Sequence, residues 1–237
     1  MFRRFKKSNY QAAVIALSAV MFSACTTAPA TIDTSSGAEV SFDGLHKVKG
    51  GRMAEAWARA DFDLSGYSKV MVQGAGVEFR PGGWKGSSRD LGPAGHYAVA
   101  DSTKVMFRQQ MGEAFMAELS KSELFTIVTE PGPDVLLIRG SLIDVISKVP
   151  QQQRMKSDTL LSEIGQATLV LEVRDSVSDG ILYRATDRQT AKRDGSGLTV
   201  SSTVTNVMEF RRVAEGWAIV IREGLERLMA PVESASE

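Results

Sequence analysis

The chain has 237 residues, of which 43% are hydrophobic and 24% charged, a composition typical of a globular protein with one sizeable core. Its 28 basic and 28 acidic residues balance, which argues against nucleic-acid binding because that function needs a basic face. One cysteine and two histidines argue against a disulfide framework and against a structural zinc site of the Cys and His type.

Residues 1–24 have the pattern of a secretory signal peptide. Four basic residues lie within the first seven positions, an apolar run follows over residues 12–22, and the small residues Ser23 and Ala24 precede Cys25. A run of about 11 residues is too short for the ~20 that a membrane-spanning helix needs. The pattern therefore predicts export.

A lone thiol at this cleavage point resembles the signal of bacterial lipoproteins, although Phe22 stands where Leu is usual. That resemblance implies a diacylglyceryl group on the Cys25 sulfur, cleavage before Cys25 and acylation of the new amine. Thr26, in place of Asp, implies transfer to the outer membrane, facing the periplasm. Cleavage leaves 24 basic against 28 acidic residues. The alternative is an ordinary cleaved signal followed by an incidental cysteine.

After the signal, the composition predicts three segments. Residues 25–40 are rich in Thr, Ser, Ala and Pro and cannot bury enough apolar surface to fold, so we expect an acylated cysteine and a flexible tether. Residues 41–231 form one periplasmic domain, and residues 232–237 are expected to fray.

Hydrophobic periodicity predicts the main elements of that domain. Alternating apolar residues and turn signals predict strands over 67–79, 124–129, 135–149, 166–177 and 181–190. Gly74 and Gly76 indicate a bulge in the first of them, and Ser178-Asp179-Gly180 indicates a hairpin. Residues 53–58 fit either a helical turn or an extended segment.

Two helices are predicted over 101–121 and 203–229. Asp101 or Ser102 is the expected N-cap of the first. The second carries an apolar stripe at spacings of three and four from Val207 to Leu228. The element order predicts an α+β fold in two layers, a mostly antiparallel sheet with two main helices packed on one face.

Three short motifs resemble a known family. Phe42-Asp43-Gly44-Leu45, then Ala56-Trp57, then the segment 61–72 with Tyr67 before Lys69-Val70 resemble a bacterial lipoprotein family, domain of unknown function 3313. The resemblance implies an exported, outer-membrane lipoprotein. It implies no activity, since no catalytic residues come with it.

The glycine-rich and proline-rich segment 80–100 is the candidate binding loop. Loops of this length are often functional. The favoured interpretation is nevertheless a surface excursion with its tryptophan folded back onto the core. Its candidate binding residues are Trp84, Lys85, Arg89, His96 and Tyr97.

No catalytic or cofactor motif emerges. Residues 82–87 contain Gly, Lys and Ser but not in P-loop order, a G-x-S-x-G elbow is missing, and no cofactor is predicted. We expect a non-enzymatic envelope module that interacts with a protein or cell-wall partner. The alternatives are a small-molecule or lipid-binding lipoprotein using the 80–100 loop, and a hydrolase with His96, near Asp101, as base.

Overall fold

A computed structural model describes residues 30–85, 95–149, 160–161, 163–192, 199–200 and 203–230. The predicted signal peptide, the cysteine with the start of the predicted tether, and the C-terminal residues expected to fray lie outside these residues. So does the polar stretch 151–156.

The described elements alternate much as the periodicity predicts. The first strands and helix are β1 (Thr31–Ile32), β2 (His46–Lys49), β3 (Glu55–Ala58), β4 (Lys69–Phe79) and α1 (Asp101–Leu119). The remainder are β5 (Thr126–Val128), β6 (Val135–Ser147), β7 (Leu160–Leu161), β8 (Glu163–Asp175), β9 (Ile181–Lys192), β10 (Thr199–Val200) and α2 (Thr203–Met229).

Eight strands form one sheet in the order β1-β2-β3-β9-β8-β6-β4-β5, and β7 pairs with β10 separately. Strand β4 runs parallel to β5 and β6, and all other pairs are antiparallel. The predicted fold class, α+β with a mostly antiparallel sheet, is confirmed. The predicted bulge is confirmed as well, because the register of β4 against β6 shifts between Gly74 and Gly76.

Both helices of the described chain pack on one face of the sheet. Because side chains alternate along a strand, β8 directs Ala167, Leu169, Leu171 and Val173 into the core and the side chains between them to the opposite face. The core-facing stripe of α2 covers them. Its buried residues include Val207, Phe210, Ala214, Trp217, Ile221 and Leu225.

Polar contacts fix the helices in place. The Trp217 indole Nε1 donates a hydrogen bond of 2.7 Å to Oδ2 of Asp187, a buried residue on β9. Glu118 of α1 is also buried and accepts from Lys121 and, at 3.0 Å, from Arg222 of α2. These cations, Lys121 first, lower the pKa of the Glu118 carboxyl. The ion pair between Glu118 and Arg222 thus joins the two helices.

The N-terminal segment differs from the expected tether and lead-in. Thr31–Ile32 adds a strand to β2, so the sheet begins inside residues predicted to be flexible. Residues 55–58 are extended, and the helical alternative for them is wrong. In the turn before β2, Leu45 is buried but Phe42 is 96% exposed, so only one of this pair packs into the body.

The helix ends also differ in detail. Ala100, which has no side-chain acceptor, is the N-cap of α1, so the prediction of Asp101 or Ser102 is wrong. At the end of α2, Leu228 is 47% exposed whereas Met229 is buried. Alternating spacings of three and four average 3.5 residues, whereas an α-helix has 3.6 residues per turn. Over the length of α2 this difference moves the buried position from Leu228 to Met229.

We expect Trp217→Phe to lower the free energy of unfolding by about 1–3 kcal/mol, because it leaves the buried Asp187 carboxylate without its indole donor. Denaturant unfolding measures the change. The matched control is Trp84→Phe, at a ring that is 41% exposed, which should change the stability by less than about 0.5 kcal/mol. Equal effects at the two positions would contradict the assigned role of the indole N–H.

Candidate functional site

A cleft of about 280 Å³ opens at the end of the sheet where β4 and β6 finish. The first turn of α1, the first described turn of α2 and the start of β8 complete its walls. Most lining side chains are apolar, and the polar ones are Ser102, Thr103, Ser147 and Asn206. Concave, mainly apolar sites with a few polar groups are the usual form of small-molecule pockets.

Three phenylalanines form the aromatic wall of the cleft. Phe107 of α1 lies edge-to-face between Phe79 of β4 and Phe210 of α2, with ring centroids 5.4 and 5.0 Å apart. Edge-to-face pairs add about 0.5–1.5 kcal/mol each beyond area burial, so this wall is firmly held. Phe79 lies in a predicted strand, and Phe107 and Phe210 lie in the two predicted helices. Their meeting point depends on tertiary packing.

A cation lies beside this wall. The ammonium of Lys104 stands 5.9 Å from the centroid of the Phe79 ring and 2.9 Å from the Oδ1 atom of Asp101. Lys104 lowers the pKa of the Asp101 carboxyl through that hydrogen bond. Ala100 and Ser102 are exposed lining residues, so the N-terminus of α1, with its positive partial charge, is at the rim.

The predicted binding loop is folded back on itself where it is described. Trp84 and Tyr97 form a bridge in which the Trp84 N–H donates to the His96 carbonyl at 2.8 Å and the Ala98 N–H donates to the Trp84 carbonyl at 3.0 Å. The Tyr97 N–H donates to the Ser147 carbonyl on β6 at 2.7 Å. The loop is therefore fastened to the end of the sheet.

The structure separates the five predicted site residues. Tyr97 and His96 are buried, with 2% and 3% of their surface exposed, while Trp84 and Lys85 lie at the surface. Arg89 is outside the described residues. None of the four described side chains lines the cleft, to which the loop contributes residues 98–100 instead. The predicted location of the site is thus shifted along the loop.

The geometry gives no support to His96 as a general base. Its Nε2 lies 3.3 Å from the Arg80 carbonyl, inside the protein. Asp101, its neighbour in sequence, has 94% of its side chain exposed and pairs with Lys104. Among the described residues, no group of three or more His, Cys, Asp or Glu side chains is placed to hold a metal ion.

The opposite face of the sheet carries a row of side chains that we call the polar row. Cross-strand pairing aligns its six members from β4 to β2. Arg139 donates to Gln73 at 3.1 Å, Arg184 donates to Glu172 at 3.3 Å, and the Lys47 ammonium stands 4.4 Å from the Trp57 ring centroid. The row runs Gln73, Arg139, Glu172, Arg184, Trp57, Lys47.

A bulge in β6 adds a second charged cluster on the open side. Asp144 has φ +52°, the left-handed region, where the register of β6 against β8 shifts. Its carboxylate receives Arg80 and, at 2.6 Å, Arg188. The Arg80 hydrogen bond is the main reason that the pKa of Asp144 falls to about 2. The bulge was not predicted, since only the irregular pairing reveals it.

Within the described part of the chain, no helix is long and apolar enough to cross a membrane. A family model described as Protein of unknown function (DUF3313) matches residues 34–220. The chain belongs to this family. The resemblance seen in its three short motifs is therefore confirmed.

Among solved structures, the chain is similar to two bacterial proteins. With protein XCC0632 from Xanthomonas campestris, of family DUF330, it shares 9% identity over 73% of this chain and 89% of that one, with a TM-score of 0.38. With the PelC dodecamer from Paraburkholderia phytofirmans it shares 12% identity over 68% and 89%, with a TM-score of 0.32. Such low values do not indicate a shared function. A search of curated proteins found no significant match.

We expect Gly83→Ala to destabilise the protein by about 1–3 kcal/mol, because the new Cβ would lie 2.4 Å from the backbone nitrogen of Ala98. The matched control is Gly216→Ala in α2, where nothing lies within 4 Å and alanine should stabilise the helix by up to about 1 kcal/mol. Thermal unfolding compares the two. A neutral Gly83→Ala would show that the loop is not closely packed against residues 97–98.

We expect Asp144→Asn to cost about 1 kcal/mol near pH 6, a modest value because the side chain is 32% exposed and solvent screens its ion pairs. Asn tolerates the left-handed backbone, so strain stays constant. The pKa of Asp144 is depressed in the folded protein. The stabilisation that its negative charge provides is therefore fully present above the ordinary pKa of 3.8 and is lost as the pH falls towards about 2. The stability difference between wild type and variant should shrink below pH 4. A difference that persists unchanged to pH 2 would contradict this.

Proposed function

We propose that the chain is an envelope lipoprotein, held to the outer membrane by acyl groups on Cys25, whose α+β domain binds a partner rather than catalysing a reaction. The observation that carries the proposal is the Ser23-Ala24-Cys25 end of the charged and apolar leader. One acyl chain binds a membrane only marginally, whereas several hold a protein stably. Membership of the family, which spans residues 34–220, supplies the folded domain but no activity.

The open face of the sheet supports the binding part of the proposal. Both helices lie on the other face, and the polar row crosses six strands with its charges already paired in position. Preorganised side chains lose little conformational entropy on binding. Phe42, 96% exposed, adds an apolar group beside Arg184 of the polar row, which also pairs with Asp43. These features suit an envelope protein of mixed surface charge.

A second candidate function is binding of a small apolar molecule or lipid. The specific observation in its favour is the cleft walled by Phe79, Phe107 and Phe210. In this candidate function, residues 98–100 of the loop 80–100 form one wall of the binding cleft. A cleft at one end and a polar row on the open face are separate surfaces, so the two candidates are compatible.

Cys25→Ala should move the full chain from the membrane fraction to the soluble periplasmic fraction and abolish labelling by palmitate, because the variant lacks the acylated thiol. Cell fractionation and lipid labelling measure both effects. Ser23→Ala, which keeps a small residue before the cysteine, is the matched control and should remain in the membrane. Retention of the Cys25→Ala protein in the membrane fraction would overturn the anchor.

A photoreactive amino acid at Thr186, on the same face as the polar row, should crosslink a reproducible envelope protein in intact cells. Val105, 60% exposed on α1, provides the control position. A partner captured equally from both positions, or from neither, would count against binding through the open face.

A further inference from the structure

We propose that the cleft binds the acyl chain of a single-chain anionic amphiphile, a fatty acid or a lysophospholipid, supplied by the membrane to which the chain is anchored. This inference rests on the proposed anchor at Cys25 and names the ligand class for the cleft. Three properties of the site support it: its lining, its rim and its position relative to the N-terminal segment.

The lining suits one hydrocarbon chain. The walls combine the three phenylalanines with aliphatic side chains such as Val145, and the volume of about 280 Å³ is near the lower end of the roughly 300–1,000 Å³ of small-molecule pockets. Transfer of each methylene from water contributes about 0.8 kcal/mol. The cleft therefore favours a single chain over a lipid with two chains.

The rim suits an anionic head group. Lys104 lies beside Phe79, which lines the cleft, and its side chain is 30% exposed. The first turn of α1 adds positive partial charge at Ser102 and Thr103. Lys104 already pairs with the exposed carboxylate of Asp101, so an incoming carboxylate or phosphate competes with Asp101 for the Lys104 ammonium. A cationic head group would be repelled by Lys104 and by the helix N-terminus, and could pair only with Asp101, which already pairs with Lys104.

The position of the cleft relative to the N-terminal segment indicates the source of the ligand. Alternating antiparallel pairing from β1 to β9 makes β1 begin on the side of the sheet towards which β9, β6 and β4 run. The register places Thr31 level with Thr186, and β9 continues six residues further, about 20 Å, to Lys192.

Cys25 also stands six positions from Thr31, so the intervening chain spans at most about 20 Å. A bilayer that holds Cys25 thus lies within about 20 Å of Thr31, and β1 begins on the same side of the sheet as the cleft. An amphiphile that leaves the periplasmic leaflet of that membrane therefore has only a short distance to travel to the cleft. The arrangement favours acyl chains over ligands from the bulk periplasm.

The test uses the mature chain with Cys25→Ala, which is free of its own acyl groups. Calorimetric titration with dodecanoate below its micelle concentration should show saturable binding of one molecule per chain. Dodecyltrimethylammonium, with the same chain and opposite charge, should bind about tenfold more weakly, and Lys104→Gln should reduce that preference. Absence of saturable dodecanoate binding would overturn the proposal.

A matched pair of variants locates the site. Val99→Trp fills the half-exposed side of the cleft and should weaken dodecanoate binding by about tenfold or more. Val105→Trp makes the same change on the exposed side of α1, outside the lining, and should bind like the parent. Circular dichroism confirms that both variants fold. Equal affinities for the two variants would place binding elsewhere and overturn the assignment.

Two further measurements separate the sources and the hypotheses. Lauroyl lysophosphatidylglycerol carries an acyl chain of the same length as dodecanoate. If the lysophospholipid binds more tightly, the ligand is derived from a membrane phospholipid; if dodecanoate binds more tightly, the ligand is a free fatty acid. Titration in solution does not depend on acylation of Cys25. Failure of binding therefore rejects the acyl site alone, whereas retention of Cys25→Ala in membranes rejects the anchor alone.

Discussion

The structure depends on the close approach of α2 to the sheet. Gly165 of β8 permits it, since a Cβ there would lie 2.8 Å from the Phe210 ring and 2.1 Å from the Ile146 carbonyl. Farther along α2, Trp217 reaches Asp187 on β9. Because α1 packs on α2 through Glu118 and Arg222, the position of both helices follows from this contact. A larger residue at 165 would force the helix away from the sheet.

Burial on one face has consequences at both surfaces of the sheet. The helix face receives the aliphatic side chains and closes the core, so polar side chains on the other face must find partners among themselves. They do so by cross-strand pairing, as Arg184 with Glu172 illustrates. At the ends of β4 and β6, the cleft remains between these strands and the first turns of the two helices.

The sequence predicts the elements well because their periods are clear. The apolar stripe of α2 and the alternation of β8 each specify a face, and the four consecutive apolar residues from Val135 match a stretch of β6 that is buried throughout. Helix caps and short edge strands were harder. Thr31–Ile32 has no apolar pattern of its own and becomes a strand only because β2 offers free backbone partners.

The candidate site was predicted less well for a physical reason. Trp84 and His96 stand out in the sequence because their residue types are common in binding sites. In the structure, backbone bridges pair Trp84 with Tyr97 and Tyr97 with Ser147, so this segment packs against the end of the sheet. The cleft is lined by Phe79, Phe107 and Phe210, each of which is an ordinary core residue in its own element. Only the packing of three elements brings them together, and no local pattern encodes that.

The two proposed activities, partner binding and acyl-chain binding, are assigned to different surfaces of the domain. The polar row crosses the middle of the sheet on the face away from the helices, whereas the cleft lies between the helices and the strand ends. The bulge at Asp144 stands between these regions: its neighbour Val145 lines the cleft while its carboxylate holds Arg188 on the open side. Two consecutive residues of β6 thus face different surfaces, because the bulge turns the Asp144 carboxylate to the charged cluster and leaves Val145 in the apolar wall of the cleft.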